Sequence, residues 1–187
     1  MNPQAIQLTE PVGPADHVLG PQHAAVTVVE YGDLECPNCK QAAGAVKLLL
    51  ARFEQSVRFV FRHFPLEEVH PHALRAAEAA ECAGGQGKFW PMHDLLFENQ
   101  LHLKLPRLYE YARQLDLDMA RFTAEMDDEI YIQRVRDNQR SGEASGVRAT
   151  PTFFVNGRLL DVSFGLHALL DAVAQQLKSR PASARGA

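Results

Sequence analysis

The sequence predicts an α/β fold, and three observations carry the prediction. A strand–helix–strand pattern fills the first third, a run of helical segments occupies the middle, and a hairpin followed by one amphipathic helix closes the chain. The chain has 187 residues, 46% hydrophobic and 22% charged, with a net charge of −4. That length suits one domain, or one domain carrying an insertion. Three cysteines cannot staple a fold of this size, and the aliphatic content excludes a natively disordered chain. The acidic balance disfavours a nucleic-acid binder. No apolar run approaches the roughly 20 residues of a spanning helix, so membrane insertion is not expected.

The elements follow in order. Residues 1–24 read as an arm, with one short strand near His17–Leu19. Residues 25–69 form the first half of the fold. Ala25–Tyr31 is β-branched and almost continuously apolar, as a strand buried on both faces requires. Ala43, Val46, Leu49, Leu50 and Phe53 then recur at helical spacing. Val57–Phe64 alternates like a second strand, which Pro65 ends. Residues 70–146 form a helical insertion with five predicted helices. These are Pro71–Ala83, stopped by a Gly84-Gly85 cap; Lys88–Gln100; Pro106–Leu115, with Pro106 at the first helical position; Asp118–Met126, capped by its aspartate; and Glu129–Ser145. Residues 147–178 return to strands: Thr152–Val155, an Asn156-Gly157 type I′ turn, Arg158–Val162, and a helix over Gly165–Lys178. Residues 179–187 read as a disordered tail.

The chemistry centres on Cys36-Pro37-Asn38-Cys39, between the first strand and its helix. This placement puts Cys36 at the helix N-cap and Pro37 at the first helical position, where no amide donor is needed. A Cys36 thiolate meets the free amides of Asn38 and Cys39 and the positive end of the helix dipole. These favour the nucleophile of thiol–disulfide exchange. Cys39, one turn on and less exposed, fits the resolving role. A zinc site is the alternative for a CxxC pair, but it needs about two further ligands, and the nearest histidines flank Pro71. Buried Glu30 is a candidate proton acceptor for Cys39. Cys82 reads as a small buried hydrophobe. His63, His70 and His72 read as surface or capping residues, with a place near the active site as the alternative; Phe89 and Trp90 read as packing, with part of an apolar peptide groove as the alternative; and Arg134–Arg140 reads as a solvated basic face.

The CPNC motif, the downstream Ala149-Thr150-Pro151-Thr152-Phe153 and the order of elements resemble the DsbA-like branch of the thioredoxin superfamily. The segments VVEYGDLECPNC, FRHFPL, HPHALRAAEAAECAGGQGKFWPMHDLLF and SGVRATPTFFVNG carry that resemblance over about residues 12–178. It implies a thioredoxin fold, β-α-β then β-β-α around a central mixed sheet, with an all-helical insertion. It also implies a thiol–disulfide oxidoreductase with Cys36 as nucleophile and Cys39 as resolving residue. Pro151 matches the family's cis-proline, expected to turn the Thr150 backbone toward solvent for pairing with an extended substrate. The substrates implied are protein or peptide cysteines, with an unidentified redox partner and neither metal nor organic cofactor. The strongest oxidants of the family carry Pro-His where this chain has Pro-Asn, so a less depressed Cys36 pKa is expected, with Glu35 pushing the same way if its charge lies near the sulfur. A binding module with a non-catalytic CxxC is the alternative function. No leader is read at the N-terminus, so a cytoplasmic location is expected if Met1 is the native start, and a periplasmic or extracytoplasmic one if a leader was removed.

Overall fold

The structure, a computed structural model, describes residues 6–163 and 165–179. Its elements run β1 (His17–Leu19), β2 (Val26–Gly32), α1 (Pro37–Arg52), β3 (Val57–His63), α2 (Ala73–Gly84), α3 (Phe89–Glu98), α4 (Leu105–Gln114), α5 (Met119–Asp127), α6 (Ile132–Ala144), β4 (Thr152–Val155), β5 (Arg158–Leu160) and α7 (His167–Ser179). The strands form one mixed sheet in the order β1-β3-β2-β4-β5. β2 and β3 are parallel, as a helical crossover between them demands, while β1, β4 and β5 join antiparallel. The five helices α2–α6 lie in sequence between β3 and β4.

The sheet separates two apolar clusters. Val26, Val28, Phe59 and Phe61 face the larger one, which includes Cys39, Ala42, Val46 and Leu49 of α1. Val29, Tyr31, Val60 and Phe154 face the smaller one with Phe64 and Val147. Since side chains alternate along a strand, Glu30 shares the face of Val26 and Val28 and points beneath α1. A carboxyl group inside the larger core is the unusual feature that this register creates.

Several expectations shift. β3 does not alternate between core and water, because both its faces are covered. Its buried Arg62 is held by Asp16 at 2.8 and 3.0 Å, by Tyr31 Oη at 3.0 Å and by the carbonyls of Glu10 and Pro11. The N-terminal segment thus supplies the polar partners that solvent was expected to provide. Gly85 caps α2 with φ −60 rather than in a left-handed conformation. A Cβ at this position would crowd the Tyr131 hydroxyl and the Arg121 guanidinium. Pro106 stands one position later than expected, because Lys104 is the cap of α4. α6 cannot start at Glu129, whose φ is 53. Asp118 does cap α5, accepting from Ala120 N and Arg121 N, and Asn156 and Gly157 both take the positive φ of the predicted turn. Ser179, assigned to the tail, ends α7; residues 180–187 of that tail lie outside the described residues.

Candidate active site

β2 delivers the chain to a tight turn, Asp33-Leu34-Glu35, and α1 begins at Pro37 with Cys36 as its N-cap. Cys36 and Cys39 are both free cysteines in this structure. Cys36 exposes 5% of its surface and Cys39 none, so the second sulfur lies beneath the first. The neutral Cys36 thiol donates to the carbonyl of Thr150 at 3.4 Å, and Cys39 Sγ accepts from Asp33 N at 3.4 Å.

The surroundings drive the two sulfurs apart. A hydrogen bond from the Cys39 thiol is the largest influence on Cys36 and stabilises its thiolate. Burial opposes it; the Thr150 side chain and the amides of Cys39 and Asn38 add to it. The balance lowers the Cys36 pKa to about 5. The Thr150 hydroxyl is buried with no other partner, leaving its proton free to turn toward the sulfur. Cys39 moves strongly upward, because burial, its hydrogen bond to Cys36 and the charge of Glu30 all penalise its thiolate. Glu30 itself is 2% exposed and is pushed up to about 8, by burial first and by the charge of Cys36 second. One of its carboxyl oxygens has no hydrogen-bond partner.

The turn that presents Cys36 is held residue by residue. The Asp33 carboxylate accepts from Glu35 N at 2.7 Å, Leu66 N at 2.8 Å and His70 Nδ1 at 2.8 Å. Glu35 accepts from His72 N at 2.6 Å. Its carboxylate is therefore engaged at the start of α2 and is not among the main influences on Cys36. Gln100 donates from Nε2 to the carbonyls of Leu34 and Cys36, each at 2.9 Å. Sequence reading missed Gln100, which carries no motif; it allowed His70 a place near the site but did not pair it with Asp33.

Opposite Cys36, the Thr150–Pro151 peptide bond is cis. The Thr150 carbonyl points at the Cys36 sulfur and not at solvent, which corrects the expectation for that group. A groove of about 440 Å³ runs alongside, lined by Asn38, Gln41, Thr150, Pro151, Val162 and Leu166 among others.

The other candidates are structural in their contacts. Cys82 is fully buried, and its thiol is pushed up to about 12 by burial and by Glu78, Glu125 and Glu81. His63 is buried against Glu81 at 3.2 Å, and Glu81 also binds His17 and Arg134, each at 2.9 Å. The basic face of α6 is ion-paired, Arg136 with Glu67 and Arg140 with Asp137. Phe89 is buried and stacks on His17 at 3.4 Å between ring centroids. Among the described residues, no three His, Cys, Asp or Glu side chains cluster as metal ligands.

A family model described as Thioredoxin matches residues 13–174. The chain belongs to the thioredoxin family. Within it, solved structures show the same fold with its helical insertion. BdbD from Bacillus subtilis is 24% identical with a TM-score of 0.83, covering 94% of this chain and 99% of that one. A thioredoxin-like oxidoreductase from Silicibacter pomeroyi is 28% identical with a TM-score of 0.79, covering 90% and 95%. Alpha-DsbA1 from Wolbachia pipientis is 20% identical with a TM-score of 0.78, covering 91% and 94%. This thioredoxin-family chain is also 51% identical over 169 residues to Na(+)/H(+) antiporter NhaA 1 of Salinispora arenicola. The match takes in 90% of the chain and 26% of the relative, so the chain spans about a quarter of that protein's length. No helix among the described residues is long and apolar enough to cross a membrane.

Proposed function

We propose that the protein is a DsbA-like thiol–disulfide oxidoreductase that donates its Cys36–Cys39 disulfide to protein or peptide thiols. One observation carries the reading: two cysteines one helical turn apart, the outer at the helix N-cap against the cis Thr150–Pro151 loop with its pKa lowered to about 5, and the inner buried beneath it with its pKa raised. A low pKa at Cys36 stabilises the reduced pair, which makes the disulfide form the better oxidant.

The steps balance as follows. A substrate thiolate attacks Cys36 Sγ; the Cys36–Cys39 bond breaks as the mixed disulfide forms, and Cys39 leaves as a thiolate. Glu30, protonated at neutral pH and beside Cys39, supplies the proton that thiolate takes up. A second substrate thiolate then attacks the substrate sulfur of the mixed disulfide, and Cys36 departs as a thiolate. The substrate loses two electrons and the protein gains them. Departure of Cys36 is fast because a low-pKa thiolate is a good leaving group. Thr150 and Pro151, with the groove beside them, hold the extended substrate chain, while Pro37 and Asn38 shape the helix end that faces the sulfur. No metal or organic cofactor enters. Disulfide donation places the protein where disulfides persist, outside a reducing cytosol. The antiport named in the matched relative has no part in this chemistry.

Equilibration with a glutathione buffer tests the direction. A Cys36 pKa of about 5 lies between thioredoxin's about 7 and DsbA's about 3.5, whose potentials are about −270 and −120 mV. Interpolation gives about −185 mV for this pair. A value near −270 mV would make it a reductant. A Cys39→Ser protein that captures no mixed disulfide, with Cys36 titrating like an ordinary thiol, removes the oxidoreductase reading altogether.

A further inference from the structure

The catalytic turn is tied to the helices that follow β3, and one tie touches the nucleophile's own peptide. Gln100 stands just after α3 with 8% of its surface exposed. Its amide gives both N–H groups to main-chain oxygens on either side of Glu35, those of Leu34 and Cys36. Two carbonyls can only accept, so the amide can take only one orientation here. The Cys36 carbonyl also accepts from Cys39 N at 3.1 Å and Lys40 N at 3.2 Å. Fixing that oxygen therefore fixes the first turn of α1. The Cys39 amide in this turn, like that of Asn38, is among the groups that face the sulfur.

We propose that Gln100 is a positioning residue, clamping the Leu34 and Cys36 carbonyls so that the helix-end amides stay aimed at the Cys36 sulfur. The proposal deepens the oxidoreductase reading and rests on it. It makes the segment after α3 part of the redox site: a shift of that segment is felt as a change in thiolate stability, without any contact to the sulfur itself.

A role confined to stability predicts a lower melting temperature and an unaltered thiol. Positioning predicts that the thiol itself changes. The experiment titrates Cys36, by thiolate absorbance, in the full reduced chain and in Gln100→Met and Gln100→Lys. Methionine keeps the length of the side chain and loses the donor; lysine keeps a donor of similar reach. In Gln100→Met the midpoint rises by about one pH unit, a roughly tenfold loss of thiolate stability. In Gln100→Lys it stays within about half a unit of the parent or falls. A folded Gln100→Met with an unmoved midpoint overturns the proposal, as does an equal rise in both variants. Should Gln100→Met fail to fold, nuclear magnetic resonance of the unsubstituted protein decides. The Gln100 side-chain amide signals shift with the ionisation of Cys36 if the clamp is coupled to the sulfur, and show no inflection if it is not. A parent protein whose Cys36 titrates as an ordinary thiol refutes the oxidoreductase reading instead, so the two failures are distinguishable.

Discussion

In the proposed cycle Cys39 does more than resolve a disulfide, because its thiol is the largest influence lowering the Cys36 pKa. The fall from 9.0 to about 5 favours the charged form by about 5 kcal/mol. Cys36 is almost wholly covered, so little of this is screened by solvent. A hydrogen bond to a charged group contributes about 1.5–3 kcal/mol, equivalent to roughly one to two pH units. Cys39→Ala removes the donor, and Cys39→Ser replaces it with a hydroxyl of similar reach. Cys36 then titrates at about 6–7 in the alanine protein and within about half a unit of 5 in the serine protein. At pH 5 about half of Cys36 is ionised in Cys39→Ser, and only about a tenth to a hundredth in Cys39→Ala. Thiolate absorbance across a pH series reads this directly, and alkylation rates at fixed pH give an independent check. If the two proteins titrate alike, the inner thiol is not what holds the charge. The sign follows for the reduced fold as well. A depressed thiol pKa adds stability that is complete above the ordinary thiol value and is lost as pH falls through about 5.

Glu30→Gln should alter the pH dependence of stability in the reduced form. A raised carboxyl pKa stabilises nothing above it: native stability is full below about 4.5 and declines as pH rises toward about 8, by up to about 1.4 kcal/mol per unit. Urea midpoints of variant and parent should therefore diverge in the variant's favour between pH 5 and 8, and parallel profiles would contradict the burial argument. Gly142→Ala should destabilise the fold by about 1–3 kcal/mol, because its Cβ would lie 2.7 and 2.8 Å from the Phe64 ring and 3.0 Å from Tyr31. For a chain of this size that lowers Tm by roughly 2–12 °C, and an unchanged Tm means that α6 can move away from the sheet at no cost. Glu81→Gln leaves His17, His63 and Arg134 around a neutral amide and should cost about 3–5 kcal/mol at pH 7. The parent's advantage is present above about 4.5 and disappears as pH falls through about 2, so unfolding curves that stay apart in strong acid would be inconsistent with this cluster.

What could be read from the sequence was local. Pro37 at the first helical position, the β-branched run over Val26–Val29 and the Asn156-Gly157 turn each state their conformation within a few residues. The cysteine pair was legible for the same reason, since its meaning depends only on a strand before it and a helix after it. The missed features are pairings between distant positions. Arg62 looks like the solvent-facing residue of an alternating strand until Asp16 and the carbonyls of Glu10 and Pro11 are folded against it. Glu35 looks like a charge beside the nucleophile until His72 N is seen to bind its carboxylate. The Thr150 carbonyl and Gln100 sit more than 60 positions from Cys36. Thr150 enters the site only through the family resemblance of Thr150-Pro151, and nothing in a single sequence links Gln100 to it.

The buried carboxyl completes the proposed cycle because its acidity depends on the state of the sulfur above it. Burial raises the Glu30 pKa most, and the Cys36 thiolate adds to the effect, so the reduced protein holds a proton on Glu30 at neutral pH. When Cys36 enters a mixed disulfide its charge disappears, and the second of those two pressures goes with it. Glu30 then ionises more readily at the moment when Cys39, whose thiol resists ionisation, must lose its proton to attack. Run in the donating direction, the same coupling works in reverse. Cys39 leaves as a thiolate in a site that disfavours its charge, and the neighbouring acid quenches it. One carboxyl therefore serves as acid in one direction and base in the other, without moving. The pH profile of the resolving step should accordingly inflect below about 8 in the parent and lose that inflection in Glu30→Gln. A profile that keeps its inflection in the variant would assign the proton transfer to solvent.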